Sequence, residues 1–156
     1  MEWTTLYNHV LSARGPVRLA TMGSGREALP SRGEAVIDDL GLVPEAEKLD
    51  AMAASLALVQ LSVNESFSFV IMEAWLAGVP VIVHADSAVT REHCERSGGG
   101  LWVRSAEEFA EALDRLRADP DLRARMAAAG REYVLANYSW AQVLDRLESA
   151  LRDLVA

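Results

Sequence analysis

Two carboxylates, Glu65 and Glu73, stand eight positions apart in the stretch ESFSFVIME, directly after the apolar run LALVQL at 56–61. A run of that length reads as a buried strand, and the spacing after it predicts a helix over 65–77. Glu65 then falls at the loop-to-helix junction, and Glu73 just over two turns further along. The opening of such a helix offers unpaired backbone N–H groups, here those of Ser66, Phe67 and Ser68, which suit a phosphate or sugar hydroxyls. A carboxylate such as Glu73 accepts two hydrogen bonds at once, the arrangement a ribose diol requires. A plainer reading fits the same residues: an acid steadying its helix start and a solvated acid further on. Val70, Ile71, Ala74 and Trp75 face the sheet in both cases.

A second pattern, Met22-Gly23-Ser24-Gly25-Arg26-Glu27-Ala28, gives G-x-G-x-x-A after the run VRLATM, and the acid pair Asp38-Asp39 ends the next apolar run. Glycines so placed admit a pyrophosphate, and the acid holds a ribose, as in nicotinamide dinucleotide sites. Pro30 and Gly33 interrupt the segment and leave about six residues for a crossover that needs ten or more. A tight glycine turn into a short helical piece therefore fits better. His84 ends the run VPVIV at the expected ligand edge, within reach of a donor or acceptor. His93 and Cys94 are adjacent, which puts them on different sides of a helix. Cys94 is the only cysteine, so no internal disulfide forms and no metal-ligand spacing exists.

These groups need a scaffold, and the apolar runs supply it. The runs VRLATM (17–22), AVI (35–37), LALVQL (56–61), VPVIV (79–83) and GLWV (100–103) are near-continuous, as strands buried on both faces of a parallel sheet are. Helical spacing lies between them at 44–54, 65–77 and, more weakly, 88–97. Strand and helix in alternation imply right-handed crossovers and an α/β fold, a doubly wound, Rossmann-like parallel sheet of about five strands. Everything from Ser105 on is helical. Ser105 and Glu108 form a capping box, Asp119-Pro120 starts the next helix, and Gly130 ends or weakens it. Ser139 caps a last helix with Val143, Leu144, Leu147, Leu151 and Leu154 on one side. Trp140, Leu144 and Leu147 are expected to pack on the core, unless the helix instead crosses to another domain, which leaves part of that apolar face exposed. Residues 2–13 read as an amphipathic helix carrying Trp3, Leu6, Tyr7, Val10 and Leu11, with no strand before it.

Length and composition bound the function. The 156 residues fit one domain, and 51% hydrophobic content with 24% charged residues excludes disorder. No apolar run approaches the roughly 20 residues of a membrane-spanning helix, and the first ten residues lack a signal-peptide layout. Fifteen basic against 23 acidic residues leave a net charge of −8, which argues against a nucleic-acid partner. A lone cysteine suits a reducing cytosol.

Taken together, the run LSVNESFSFVIMEAWLAGVPVIV resembles the signature of the family 4 retaining glycosyltransferases of GT-B architecture. It carries their E-x7-E motif as Glu65 and Glu73, then Ala74, Gly78, Pro80 and Val81 of an EA-x-x-x-G-x-PV pattern. Leu40-Gly41-Leu42-Val43-Pro44 resembles that family's turn before a helix, and Ser97-Gly98-Gly99-Gly100-Leu101 its glycine-rich turn into the last strand. The stretch from Asp119-Pro120 to Tyr138-Ser139-Trp140 resembles its closing helices.

The resemblance implies that residues 1–156 form a single domain of the donor-binding, C-terminal type. Glu65 would lie near the donor sugar as the catalytic residue, and Glu73 would hold the nucleotide ribose. Ser66, Phe67, Ser68 and Phe69 would meet sugar hydroxyls and diphosphate. Leu42 and Val43 would flank the base, and Gly23 and Gly25 would allow close approach. The substrate implied is a nucleoside diphosphate sugar, with no metal and no further cofactor, in the cytoplasm or at the inner face of the membrane. Two family features have no counterpart here: the acceptor-binding N-terminal domain, and the domain's first strand with its basic pair. In a 3-2-1-4-5-6 sheet that strand is central, so neighbouring edges would stay unpaired or draw in a partner strand, including one from a second copy. The usual proline before Ser62 is Leu61. The isolated chain is expected to be inactive in transfer. Two other readings stay open: a non-catalytic interaction module, and a nicotinamide site on the glycine turn at Gly23 and Gly25.

Overall fold

A computed structural model describes residues 17–24 and 36–155. The expected helix over 2–13, Gly25 and the interrupted segment around Pro30 and Gly33 lie outside the described residues. In chain order the elements are β1 (Arg18–Thr21), β2 (Val36–Asp39), α1 (Glu45–Ala53), β3 (Leu58–Gln60), α2 (Phe69–Leu76) and β4 (Val81–His84). They continue with α3 (Ala88–Ser97), β5 (Gly100–Val103), α4 (Ala106–Ala118), α5 (Pro120–Tyr138) and α6 (Trp140–Val155). Each apolar run named above yields a strand, and each helical spacing from residue 44 to residue 97 a helix.

The strands form a Rossmann-like parallel arrangement in two pieces. β1 pairs with β2 in parallel, Arg18 opposite Val36, and β3-β4-β5 form a separate parallel sheet in that order. Among the described residues only β4 is buried along its whole length, because it alone of these strands has a strand on each side and helices on both faces. Expected burial on both faces fails at β1 and β5: Arg18, Ala20 and Trp102 are exposed, since an edge strand lacks that cover.

Alternation along β4 divides the core. Ile82 points to one face, joining Leu61, Val103 and the α4 residues Phe109, Leu113 and Leu116. Val81 and Val83 point to the other, joining Ile71, Ala74 and Trp75 of α2, Cys94 of α3 and Tyr133 and Val134 of α5. α4 is capped as its sequence predicts: the Ser105 hydroxyl accepts from the Glu108 N–H at 3.2 Å, and Glu108 accepts from the Arg104 N–H at 2.6 Å.

Two expectations about the closing helices are corrected. α5 runs unbroken through Gly130, where a Cβ would fall on the Trp75 indole, 2.6 Å from Nε1 and closer to Cγ and Cδ1. Glycine is present there for close helix packing, not as a stop. In α6, Trp140, Leu144 and Leu147 do not enter the core; Trp140 is 79% exposed, and the whole apolar side of the helix faces outward. Among the described residues, no helix is long and apolar enough to cross a membrane.

Candidate functional site

The candidate residues collect at the carboxyl ends of the strands, where open α/β sheets bind ligands. β3 ends at Gln60, and the chain then runs through Leu61 and Glu65 to α2, which starts at Phe69 rather than at residue 65. Ser66, Phe67 and Ser68 thus form a loop ahead of the helix, and the helical N–H groups without an earlier carbonyl begin at Phe69. Ser68 causes the delay. Its φ of 65° puts it in the left-handed region, the only such non-glycine among the described residues. L-residues occupy that region at a cost of roughly 1–3 kcal/mol, and such outliers cluster at ligand-binding sites. Ser68 is 8% exposed, and its buried hydroxyl has no hydrogen-bond partner.

The loop is held from behind by aromatic rings. Phe67 sits edge-on to Phe69 and Tyr138, both at 5.0 Å, and to His93 at 5.3 Å. His93 Nδ1 meets the Tyr133 hydroxyl at 3.0 Å, and Tyr133 meets the Tyr138 hydroxyl at 3.2 Å. The His93 ring also hydrogen-bonds the Phe67 backbone, while burial pushes the imidazole below the usual histidine range. A neutral ring can present one N–H and one lone pair, matching these two contacts. Sequence reasoning set His93 aside as a helix residue. Only the return of α5 to the loop, through Tyr133 and Tyr138, gives it a role.

The two acids sit differently. Glu65 is half-buried and accepts from Gln60 Nε2 at 3.3 Å, which ties it to the end of β3. Glu73 is half-buried on α2, and its Oε2 accepts from Lys48 Nζ at 3.0 Å; Lys48 also bridges Glu45 at 2.8 Å. Those two bonds raise the Lys48 pKa above its ordinary value, Glu45 contributing the larger part. One Glu73 oxygen is thus engaged by Lys48. Lys48 went unnoticed as a site residue, although it is the chain's one lysine among 15 basic residues.

Lys48 also joins the two halves of the site. It rides on α1, which follows the turn of Leu42 and Val43. Leu42 is exposed and Val43 half-buried. That turn is fixed to the end of β1 by Gly23 N–H to the Gly41 carbonyl and Leu40 N–H to the Thr21 carbonyl, both 2.9 Å. Gly23 takes φ 133°, which a side chain would resist. The acid pair is already engaged: Asp38 binds Arg18, and Asp39 accepts from the Gly41 N–H at 3.0 Å. His84 is buried at the end of β4, with Nδ1 accepting from the Asp86 N–H at 3.0 Å. Burial lowers its pKa, and with Nδ1 accepting, the neutral ring carries its proton on Nε2. Cys94 is buried, and burial pushes its thiol up to about 12, which leaves it inert. Among the described residues no group of three or more His, Cys, Asp or Glu side chains could hold a metal ion.

A Rossmann-like parallel sheet with acids on a loop and helix at its carboxyl edge is consistent with a GT-B-type domain. Similarity to known proteins agrees. The chain belongs to the glycosyl transferase-like family, whose profile matches residues 7–149. It is 30% identical over 124 residues to a Xenopus tropicalis glycosyltransferase 1 domain-containing protein, covering 76% of this chain and 35% of that one. It is 29% identical over 156 residues to a GDP-mannose-dependent phosphatidylinositol monomannoside mannosyltransferase of Corynebacterium glutamicum, covering 92% of this chain and 41% of the relative. Among solved structures it resembles Anabaena HepE in complex with UDP, with a TM-score of 0.78 at 17% identity, over 97% of this chain and 45% of that one. At that identity the likeness shows the fold. The chain covers about a fifth to two fifths of the length of the curated relatives it matches.

Proposed function

We propose that this chain is the donor-binding half of a retaining glycosyltransferase of family 4 type, taking a nucleoside diphosphate hexose. In the complete reaction the bond from the anomeric carbon to the diphosphate breaks and a bond to an acceptor oxygen forms. The acceptor hydroxyl's proton is released, and the nucleoside diphosphate leaves. Such transfer needs both substrates enclosed together away from water, so the isolated chain binds donor without turning it over. Glu73 holds the ribose diol through the oxygen that Lys48 does not engage. Glu65 lies beside the hexose, and Ser66, Phe67, Ser68 and Phe69 meet its hydroxyls and the diphosphate. Leu42 and Val43 flank the base, Gly23 and Gly25 let the diphosphate approach, and the Nε2–H of His84 is placed to donate to a sugar oxygen. The acceptor is held by a second, N-terminal domain.

The observation that carries this reading is Ser68: a buried hydroxyl without a partner, on strained backbone at the start of α2, between the two acids. Strain of that kind persists where the surrounding packing holds it, and it clusters at ligand-binding sites. The names of similar proteins point to different bases, GDP-mannose for the Corynebacterium enzyme and UDP for the Anabaena structure.

A thermal-shift titration with UDP, GDP, ADP and NAD tests the reading on wild type and Glu73→Ala. Ligand at ten times its Kd stabilises by about 1.4 kcal/mol, roughly 3–6 °C for a domain of this size. One nucleoside diphosphate is expected to produce that shift, and Glu73→Ala to abolish it. A shift with none of the diphosphates overturns the reading; a shift with NAD that survives Glu73→Ala replaces it with a nicotinamide site on the Gly23 turn.

A further inference from the structure

We propose that Lys48 is a specificity-determining residue: its ammonium donates to one hydroxyl oxygen of the ligand's ribose, while Glu73 accepts the proton of the other. This role rests on the donor site proposed above, and it makes that site select ribonucleotides over deoxyribonucleotides.

Donors and acceptors must balance at the diol. A carboxylate by itself would take both hydroxyls, one on each oxygen. Glu73 does not stand by itself. Its Oε2 accepts from Lys48 Nζ at 3.0 Å, so a diol arriving there meets Oε1 on one side and the ammonium on the other. An ammonium has three N–H donors and no acceptor. Two are used, one on Glu73 and one on Glu45 Oε1 at 2.8 Å, and no further partner of Nζ stands among the described residues. A hydroxyl both gives and accepts, whereas a carboxylate only accepts and an ammonium only gives. The pair therefore binds the two hydroxyls in opposite senses.

The backbone sets this placement. Lys48 N–H bonds the Pro44 carbonyl at 3.0 Å in the first turn of α1, just past Leu42 and Val43. Lys48 thus reaches from the turn proposed to flank the base to the acid proposed to hold the ribose, 25 positions later. Its side chain is 23% exposed and that of Glu73 33%, so the contact is sheltered without being closed to a ligand. The neighbouring carboxylates, Glu45 foremost, raise the lysine pKa and keep it charged. A plain tie between two helices is the simpler role, but pairs this open to water add little stability. Residue choice agrees with the donor balance, because Lys48 is the one lysine among 15 basic residues. Its compact head turns three donors in three directions, whereas the flat fork of an arginine is matched by a single carboxylate.

The test is calorimetric titration. UDP, GDP and ADP identify the diphosphate that wild type binds, and its 2′-deoxy, 3′-deoxy, 2′-deoxy-2′-fluoro and 3′-deoxy-3′-fluoro forms follow. Both deoxy forms are expected to bind about tenfold or more weakly, since each lacks an oxygen bonded to a charged group. Fluorine accepts a hydrogen bond and donates none. One fluoro form should therefore bind close to the parent, its fluorine facing Lys48. The other should bind about tenfold or more weakly, its fluorine facing Glu73. In Lys48→Met both fluoro forms should be rejected, since fluorine then meets only the carboxylate. Glu45→Gln removes the other ion pair of Lys48 and should keep the wild-type pattern, which a merely structural lysine would not set. Circular dichroism checks the fold of each variant, and the wild-type arms decide the matter if Lys48→Met does not fold. Three outcomes overturn the role of Lys48 and leave the donor site standing. The deoxy forms bind as tightly as the parent; wild type treats the two fluoro forms alike; or Lys48→Met keeps the wild-type pattern. Binding of none of the three diphosphates by wild type refutes the donor site and the role of Lys48 together.

Discussion

Replacing Gly130 with alanine adds one methyl group where α5 crosses α2. The new Cβ would stand 2.6 Å from Trp75 Nε1 and closer to two ring carbons, against the roughly 3.5–4.0 Å that carbon contacts prefer. The indole cannot retreat easily. It is fully buried, edge-on to Tyr133 at 5.9 Å, and its N–H donates to the Gly99 carbonyl at 2.9 Å. Gly99 is equally tight, since a Cβ there would meet Trp75 Nε1 at 2.6 Å. Overpacking of this kind costs about 1–3 kcal/mol, and straining the indole bond adds up to about 1 kcal/mol. Alanine's better helix propensity returns about 0.8–1.0 kcal/mol. The net expectation is a loss of about 2 kcal/mol, or roughly 4–8 °C in Tm. Urea unfolding followed by circular dichroism measures it. Ala128→Gly, on the exposed side of the same helix, supplies the propensity control, with an expected loss of about 1 kcal/mol. A Gly130→Ala protein as stable as wild type would refute the close seating of α5 on Trp75. Because Trp75 lies two residues after Glu73 on α2, the variant should also weaken nucleoside diphosphate binding.

Three further outcomes are expected. Burial holds His84 and His93 below the usual pKa of about 6.5, so the unfolded chain takes up protons first as pH falls. The stability they contribute is complete above about pH 6.5 and is lost below it; urea midpoints from pH 7.5 to 5.5 should fall, and the slope should flatten in a His84→Asn, His93→Asn double variant. Cys94, with its thiol pushed up to about 12, should resist iodoacetamide at pH 8 until the chain unfolds, so rapid labelling of the native protein would contradict its burial. Ser105→Ala removes the cap that receives the Glu108 N–H and should cost about 0.5–2 kcal/mol in the same urea assay, with no effect on nucleotide binding.

Strands and helices were legible in the sequence because burial imposes a period on the residues that form them. Each apolar run became a strand and each helical spacing among the described residues a helix, and Ser105 with Asp119 marked two helix starts through their side-chain oxygens. The pair Glu65 and Glu73 was equally legible, since the family resemblance is written in consecutive residues. Glu73 does sit on a helix past the end of β3, as its spacing required. The start of that helix was not legible. Ser68 has no sequence mark of left-handed backbone, because serine rarely adopts it and does so here only under the constraint of the packed loop.

What tertiary structure alone decided are contacts between residues far apart in the chain. Lys48 reaches Glu73 across 25 positions, and His93 reaches Tyr133 across 40. Gly130 reads as a helix breaker until Trp75 is seen to fill its surface. Trp140, Leu144 and Leu147 carry a core-like period and yet face outward, since periodicity reports that a face is apolar and not what covers it. Sequence fixes which residues make strands, through local burial patterns; which edges come to lie opposite each other, and with what space between, is set by how the helices pack on both faces.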